Sequence, residues 1–277
     1  MRDAVCRMRQ SRESIVRVHA RTTEAGYIPR PATGPREVCL RVAFTIDLEP
    51  DCPPWLTTQF RGVDEGMPRV MALLRELEVP ATVFTTGDVA RRSPALVHAL
   101  RDAGHTVGCH GMTHAPFDRM DDRTAHDEIV TSLAILRALC GEGVTAFRAP
   151  YLRFPDRFLP LLTEAGITLD ASGARYKRGG GRRAGVVETP GGPLRRIPAS
   201  VTSSVLRAPD LLRWPWLRAL ADPVVLFVHP WEFVDLRRAP IRWDCRFRTG
   251  DTALSKLREV LTDFRSRGAT FVHLDAL

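Results

Sequence analysis

From residue 39 onward, short apolar runs alternate with stretches of helical periodicity. The runs are Cys39–Ile46, Ala81–Thr85, Thr106–Cys109, Val144–Phe147, Ile167–Leu169, Val224–Val228 and Thr270–His273. Between the first two, Val70, Leu73, Leu74 and Leu77 recur at helical spacing and Pro80 stops the helix. Ile129, Leu133, Leu136 and Cys140 repeat at i, i+4, i+7 and i+11, preceded by Thr124 and Asp127 at the spacing of a capping box. A last helix over about 252–267 ends at Gly268 and feeds the final strand. Apolar runs separated by helices predict parallel βα units. Seven such units close naturally into a barrel, for which about 240 residues is a fitting size, and an open doubly wound sheet is the structural rival. The segment 175–222, with an Arg/Gly stretch and Pro190-Gly-Gly-Pro193, predicts a long irregular connection. Residues 1–37 lack apolar periodicity and end in Pro31-Ala-Thr-Gly-Pro35, which predicts a flexible basic arm ahead of a βα domain over 38–277.

Composition narrows the class. At 277 residues, 44% hydrophobic and 26% charged, the chain is neither low-complexity nor collagenous. No stretch reaches the roughly 18 apolar residues of a membrane span, and 1–37 contain no apolar core of a signal peptide, so a cytoplasmic location is expected. The net charge of +8 is concentrated at residues 1–37 (+4) and 175–196 (+6), leaving −2 for the rest. With a single tyrosine each, Tyr27 and Tyr176, those clusters lack the repeated aromatic interleaving of a nucleic-acid footprint. Six cysteines without a CxxC pair read as reduced thiols.

Five apolar runs end in a polar residue that a core would not choose: Asp47, His110, Arg148, Asp170 and His229. A lone buried charge is costly, so five at strand ends point to one shared rim, in a barrel the catalytic C-terminal face. Asp47 and Glu49, two apart, share a face. Two carboxylates so placed call for a cation, one binding it and the other acting as base. In His110-Gly-Met-Thr-His114 the i, i+4 spacing would set two imidazoles on one side of a helical turn, able to share an ion. With a carboxylate they make a His-His-carboxylate site with open positions, the pattern of catalytic metal centres. The residue after His110 is Gly111, so the base comes from elsewhere, and Asp47 is the obvious donor.

With these residues in hand, the chain resembles the polysaccharide deacetylase (NodB-homology) family of metal-dependent amide hydrolases. The resemblance is carried by Phe44-Thr-Ile-Asp-Leu-Glu49, Ala81-Thr-Val-Phe-Thr-Thr-Gly87 and Ala103-Gly-His-Thr-Val-Gly-Cys-His-Gly-Met-Thr-His114. Arg148-Ala-Pro-Tyr151 is similar to the family's RxPY motif and Leu226-Phe-Val-His229 to its LxH motif. It implies an α/β fold, a distorted (β/α)7 barrel, with Asp47 as general base and Glu49, His110 and His114 as metal ligands. Arg148 would pair with Asp47, the Tyr151 backbone N–H would steady the oxyanion, and His229 would protonate the leaving amine. The cofactor implied is a divalent ion, Zn2+ first, with Co2+, Ni2+ or Mn2+ as alternatives. The family's first motif has adjacent aspartates, whereas Leu48 separates the two acids here, which leaves Asp51 as an alternative ligand. Asp170-Ala-Ser-Gly173 matches the fourth motif loosely, with Asp170 implied to orient His229. Pro150 and Trp231 are candidate substrate contacts. His229-Pro-Trp-Glu-Phe233 resembles a divergent branch, which implies one of two substrate classes: an N-acetylated sugar or glycan, or a small amide, cyclic imide or ureide. A non-catalytic carbohydrate-binding barrel is the reading from another class.

Overall fold

The structure, a computed structural model, describes residues 40–177 and 184–277. The strands are β1 (Arg41–Leu48), β2 (Ala81–Thr85), β3 (Thr106–Cys109), β4 (Ala146–Phe147), β5 (Leu169–Asp170), β6 (Gly185–Thr189), β7 (Gly192–Arg196), β8 (Val224–Val228) and β9 (Thr270–Phe271). The helices are α1 (Met67–Glu76), α2 (Gly87–Arg92), α3 (Pro94–Asp102), α4 (Asp122–Cys140), α5 (Leu159–Glu164), α6 (Ser203–Leu206), α7 (Asp210–Arg218), α8 (Trp243–Arg246) and α9 (Asp251–Ser266). The sheet runs β6-β7-β5-β4-β3-β2-β1-β8, with β9 beside β1. Every pairing is parallel except the β6–β7 hairpin.

The sheet curls until its ends meet. The Ser200 N–H donates to the Val225 carbonyl (2.9 Å), and the Val225 N–H donates to Ser200 Oγ (2.9 Å). β8, β1, β2, β3, β4, β5 and β7 thus form a distorted seven-strand barrel; six of these strands lie in predicted runs, β7 lies in the stretch expected to be irregular, and the last run supplies β9 beside β1. All seven predicted runs contain strands, although Cys39 lies outside the described residues and only Ala146–Phe147 of the fourth run pairs.

Strand alternation divides the barrel into two faces. Along β1, Val42, Phe44, Ile46 and Leu48 pack outward with α1, α4 and α9 residues such as Leu73, Ile129 and Leu257. Ala43 faces the barrel interior with Phe84, Ala146, Leu169, Ala171 and Val225. Burial on both faces is what parallel strands require. The same parity carries Thr45 and Asp47 inward, and gives His110, Arg148 and His229 the inward sense of Gly108, Ala146 and Val225 on their strands. Helix α4 buries Ala125, Ile129, Ser132, Leu133 and Leu136 along one stripe. Its cap differs from the expectation: Asp121, whose carboxylate accepts the Thr124 N–H (2.8 Å), starts the helix, and Thr124 lies within it.

The expectation of an irregular 175–222 is corrected. β6 and β7 form a hairpin around Pro190-Gly191, and α6 and α7 follow. β6 is exposed, with Val186 at 60%, so its sequence carries no core signal. Trp214 packs against the core from α7, whereas Trp216 is exposed on that helix. The expected 1–37 arm lies outside the described residues.

One close approach ties fold to site. A Cβ added at Gly66 would lie 2.1 Å from the Pro230 carbonyl oxygen, in the turn that follows His229. Gly66→Ala should therefore push that turn away and cost about 1–3 kcal/mol of stability, read as a lower urea midpoint. A midpoint equal to wild type would show that the approach constrains nothing.

Candidate active site

At the floor of the barrel mouth lies Arg148, fully buried. Its Nη1 donates to Asp47 Oδ1 (2.7 Å) and Thr45 Oγ1 (2.8 Å), and its Nε to the Ala171 carbonyl (3.3 Å). The guanidinium lies 4.3 Å over the Phe84 ring. Thr45 gives its own proton to the Leu226 carbonyl (2.8 Å), so its lone pair is free to accept from Arg148.

Beside Asp47 stand Glu49, His110 and His114, all buried, whose ligand atoms lie within 4.8 Å of one another. His110 Nδ1 contacts the Arg148 carbonyl at 2.7 Å. A carbonyl only accepts, so Nδ1 carries a proton, and Nε2 faces Glu49 Oε2, 3.3 Å away. His114 Nε2 lies 2.6 Å from the same oxygen. Lone pairs facing a carboxylate are stable only with a cation or proton between them, so the donor set fits a divalent metal ion. Burial pushes the Glu49 carboxyl up, but the charges of His114 and His229 and hydrogen bonds from His110 and His114 outweigh it. The group stays well below the usual carboxylate range.

The loop holding the imidazoles is not the helical turn that the i, i+4 spacing suggests. Gly111 and His114 have φ of +75° and +62°, and the chain doubles back to aim both rings at Glu49. Glu128 of α4 clamps this loop, accepting from Met112 N (2.7 Å), Thr113 N (3.1 Å) and Thr113 Oγ1 (2.6 Å). The Tyr151 ring meets His114 edge-on, 4.7 Å between centroids, and Tyr151 has a φ of +59° in the turn opened by buried Pro150.

His229 closes the cup, with Nε2 3.9 Å from both Asp47 Oδ2 and Glu49 Oε1. Its Nδ1 bonds Glu232 Oε1 (2.7 Å), and Glu232 in turn pairs with Arg207 (2.7 Å). Burial alone would lower the His229 pKa; the Glu49, Glu232 and Asp47 carboxylates outweigh it and raise it to about 9. Burial likewise pushes Glu232 up, and Arg207 and His229 more than reverse it. Trp231 stacks on His229 (4.9 Å, 19°) and gives its indole N–H to Glu49 Oε1 (3.0 Å), fixing that carboxylate from behind.

Two expectations are corrected. Asp51 is not among the clustered ligands: its carboxylate accepts the Gly62 N–H (2.7 Å) and Arg61 N–H (3.0 Å). Asp170 does not orient His229. In register with outward Phe147 and with Arg196, it points away from the interior, pairs with Arg196 (2.9 Å) and accepts the Ser172 N–H (2.9 Å). The rim therefore brings together Asp47, His110, Arg148 and His229, and Glu232 takes the place expected of Asp170. Glu232, Arg207, Glu128 and Thr45 went unnoticed in the sequence. Only Glu232 left a signal, an acid three residues after a strand-end histidine.

With this geometry in view, residues 40–169 match the family model described as polysaccharide deacetylase. Over these residues the chain is similar to the polysaccharide deacetylase family. Among curated members, the peptidoglycan deacetylase of Helicobacter pylori is 28% identical over 122 residues, 44% of this chain and 42% of that one. The chitooligosaccharide deacetylase of Bradyrhizobium sp. is 32% identical over 101 residues, 36% of this chain and 46% of that one. The matched part is thus less than half the length of either relative. The deacetylase fold extends further than the sequence likeness. A crystal structure from Mycobacterium smegmatis matches with a TM-score of 0.66 and 20% identity, covering 89% of this chain and 91% of that one. A CE4-family pseudoenzyme from Bacillus anthracis matches at 0.59 with 16% identity, covering 87% and 66%. Since a pseudoenzyme shares the fold, the chemistry of a deacetylase must be argued from side chains.

The partner of His229 is directly testable. In the metal-free protein, Glu232→Gln removes a charge from Nδ1 and should lower the imidazole pKa from about 9 by roughly 1–3 units. Asp170→Asn should leave it unmoved. Ring 15N shifts followed across pH measure both, and an effect of Asp170→Asn equal to that of Glu232→Gln would overturn the assignment.

Proposed function

We propose that the barrel is a metal-dependent deacetylase that removes the acetyl group from an N-acetylated sugar or glycan. One observation carries this reading: an acid paired with a buried guanidinium, a Glu-His-His ligand set and a carboxylate-backed imidazole share one cup. The peptidoglycan and chitooligosaccharide deacetylases among the relatives support a glycan over a small amide or imide.

Glu49, His110 and His114 would hold the ion, and two imidazoles with one carboxylate suit Zn2+. Bound there, a divalent cation supplies Lewis acidity toward the amide carbonyl and acidifies water. Asp47, held by Arg148 and Thr45, takes a proton from the attacking water as its oxygen bonds to the carbonyl carbon. The Tyr151 backbone N–H, set by its left-handed conformation, donates to the developing oxyanion. As the C–N bond breaks, the nitrogen keeps the bonding pair and takes a proton from His229 Nε2, leaving acetate and an amine. Glu232, behind Nδ1, fixes the tautomer and supports the imidazolium. Trp231 holds Glu49 in line, and with Pro150 it shapes the wall behind the substrate.

With zinc restored, acetate release from N-acetylated oligosaccharides should be measurable. Asp47→Asn and His229→Ala should each lose about 10²–10⁴-fold in kcat while keeping the metal. His110→Ala should lose the metal itself, read by elemental analysis after dialysis. Equal turnover in all three variants would refute these roles, and hydrolysis of cyclic imides with no acetate released would replace the glycan.

A further inference from the structure

Beside the cup, beyond Tyr151, lies a cavity of about 600 Å³ that the reaction above does not use. Its lining includes Ser172, Arg153, Lys177 and Arg196, with Asp118 and Asp156. The charges are unevenly matched. Arg196 is shared by Asp156 (3.0 Å) and Asp170 (2.9 Å), so that end has no cation to spare. Arg153 leans on Asp118 at a loose 3.6 Å. Lys177 has no carboxylate partner among the described residues; its Nζ donates to the Tyr151 carbonyl. Burial, and then the neighbouring Arg153 charge, both push its pKa down, and no acid opposes them. A half-buried ammonium so placed is a standing cost that an anion would relieve. Ser172 Oγ accepts the Ala149 N–H (2.8 Å), which leaves its hydroxyl proton to donate.

We propose that this cavity is a subsite for a carboxylate carried by the substrate, on or next to the N-acetylated sugar, with Lys177 as its counter-charge and Arg153 and Ser172 as supporting donors. The inference rests on the deacetylase reading and names its substrate class: an acidic glycan in preference to a neutral one. Lys177, without a carboxylate partner among the described residues and with Asp118 and Asp156 on the same lining, suits a monoanionic carboxylate better than a phosphate dianion. Tyr151 links the two sites, its ring against His114 and its carbonyl on Lys177. An anchored acidic group would therefore bear on the residue whose N–H faces the oxyanion.

The test uses the full chain and two N-acetylated oligosaccharides of equal length, one neutral and one alternating with glucuronic acid. Binding to the metal-free protein is measured by calorimetry, and acetate release with zinc restored. Wild type should bind the acidic chain about 10-fold more tightly than Lys177→Met does, and Lys177→Arg should retain the preference. The neutral chain should bind both proteins alike. In turnover, Lys177→Met should lower kcat/KM for the acidic chain about 10-fold more than for the neutral chain. An equal fall on both substrates would show that Lys177 only holds Tyr151 in place and would overturn the subsite. So would equal binding of the two chains by wild type, or displacement of the acidic chain by inorganic phosphate at lower concentration than by glucuronate. Lys177-dependent binding of the acidic chain without any acetate release would keep the subsite and sink the deacetylase reading instead.

Discussion

The interaction on which the site depends is the burial of the Arg148 guanidinium inside the barrel. A charge so enclosed is tolerated only when paired and hydrogen-bonded, and removing one partner of such a pair typically costs about 3–5 kcal/mol. Here the partners come from different strands: Asp47 and Thr45 from β1 and the Ala171 carbonyl just after β5, with the Phe84 ring of β2 beneath. Arg148 thereby fixes the angular position of β1 against β4 and β5. Its own carbonyl extends the effect by fixing the His110 tautomer. The residue that holds Asp47 also aims His110.

A second chain of charge runs from the other side: Arg207 to Glu232 to His229. Arg207 also donates to the carbonyls of Asp244, Cys245 and Phe247, so α8 and its neighbouring loop are anchored through the group that supports the imidazole. The acid that backs His229 is therefore local in sequence, three residues on, instead of arriving from another strand. That arrangement frees Asp170 for a structural pair with Arg196 on the outer face.

Most of the barrel was legible in the sequence because parallel strands buried on both faces leave continuous apolar runs, and each of the seven runs contains a strand. Asp47, His110, Arg148 and His229 were legible because each breaks such a run at its end. Parity was the missing step for Asp170: with Leu169 and Ala171 facing inward, the residue between them must face out. The β6–β7 hairpin escaped because β6 is exposed and β7 buries only Leu194 and Arg196, so that with Gly and Pro at the turn no apolar pattern remains. The imidazole spacing suggested a helix, yet the two positive φ angles at Gly111 and His114 produce convergence by another route. Glu128 and Arg207 could not be read at all, since each acts across long sequence separations through contacts that carry no local periodicity.

The charges in the cup would make a cation at Glu49, His110 and His114 matter for the strength of His229 as an acid as well as for stability. Asp47, Glu49 and Glu232 face Arg148, Arg207 and the His229 imidazolium, so the metal-free cup approaches neutrality only while His229 keeps its proton. That is the origin of a pKa near 9, and an acid so stabilised gives up its proton reluctantly. Glu49 is the part of that field which could be withdrawn, because it belongs both to the Glu49-His110-His114 cluster and to the surroundings of His229. A divalent ion held by those three residues would weaken the pull of Glu49 on His229 and bring the imidazolium toward the range in which it could donate to a leaving amine. Glu232 would keep its hold on Nδ1, so the ring would stay oriented. The same carboxylate would thus couple the presence of an ion to the strength of the acid.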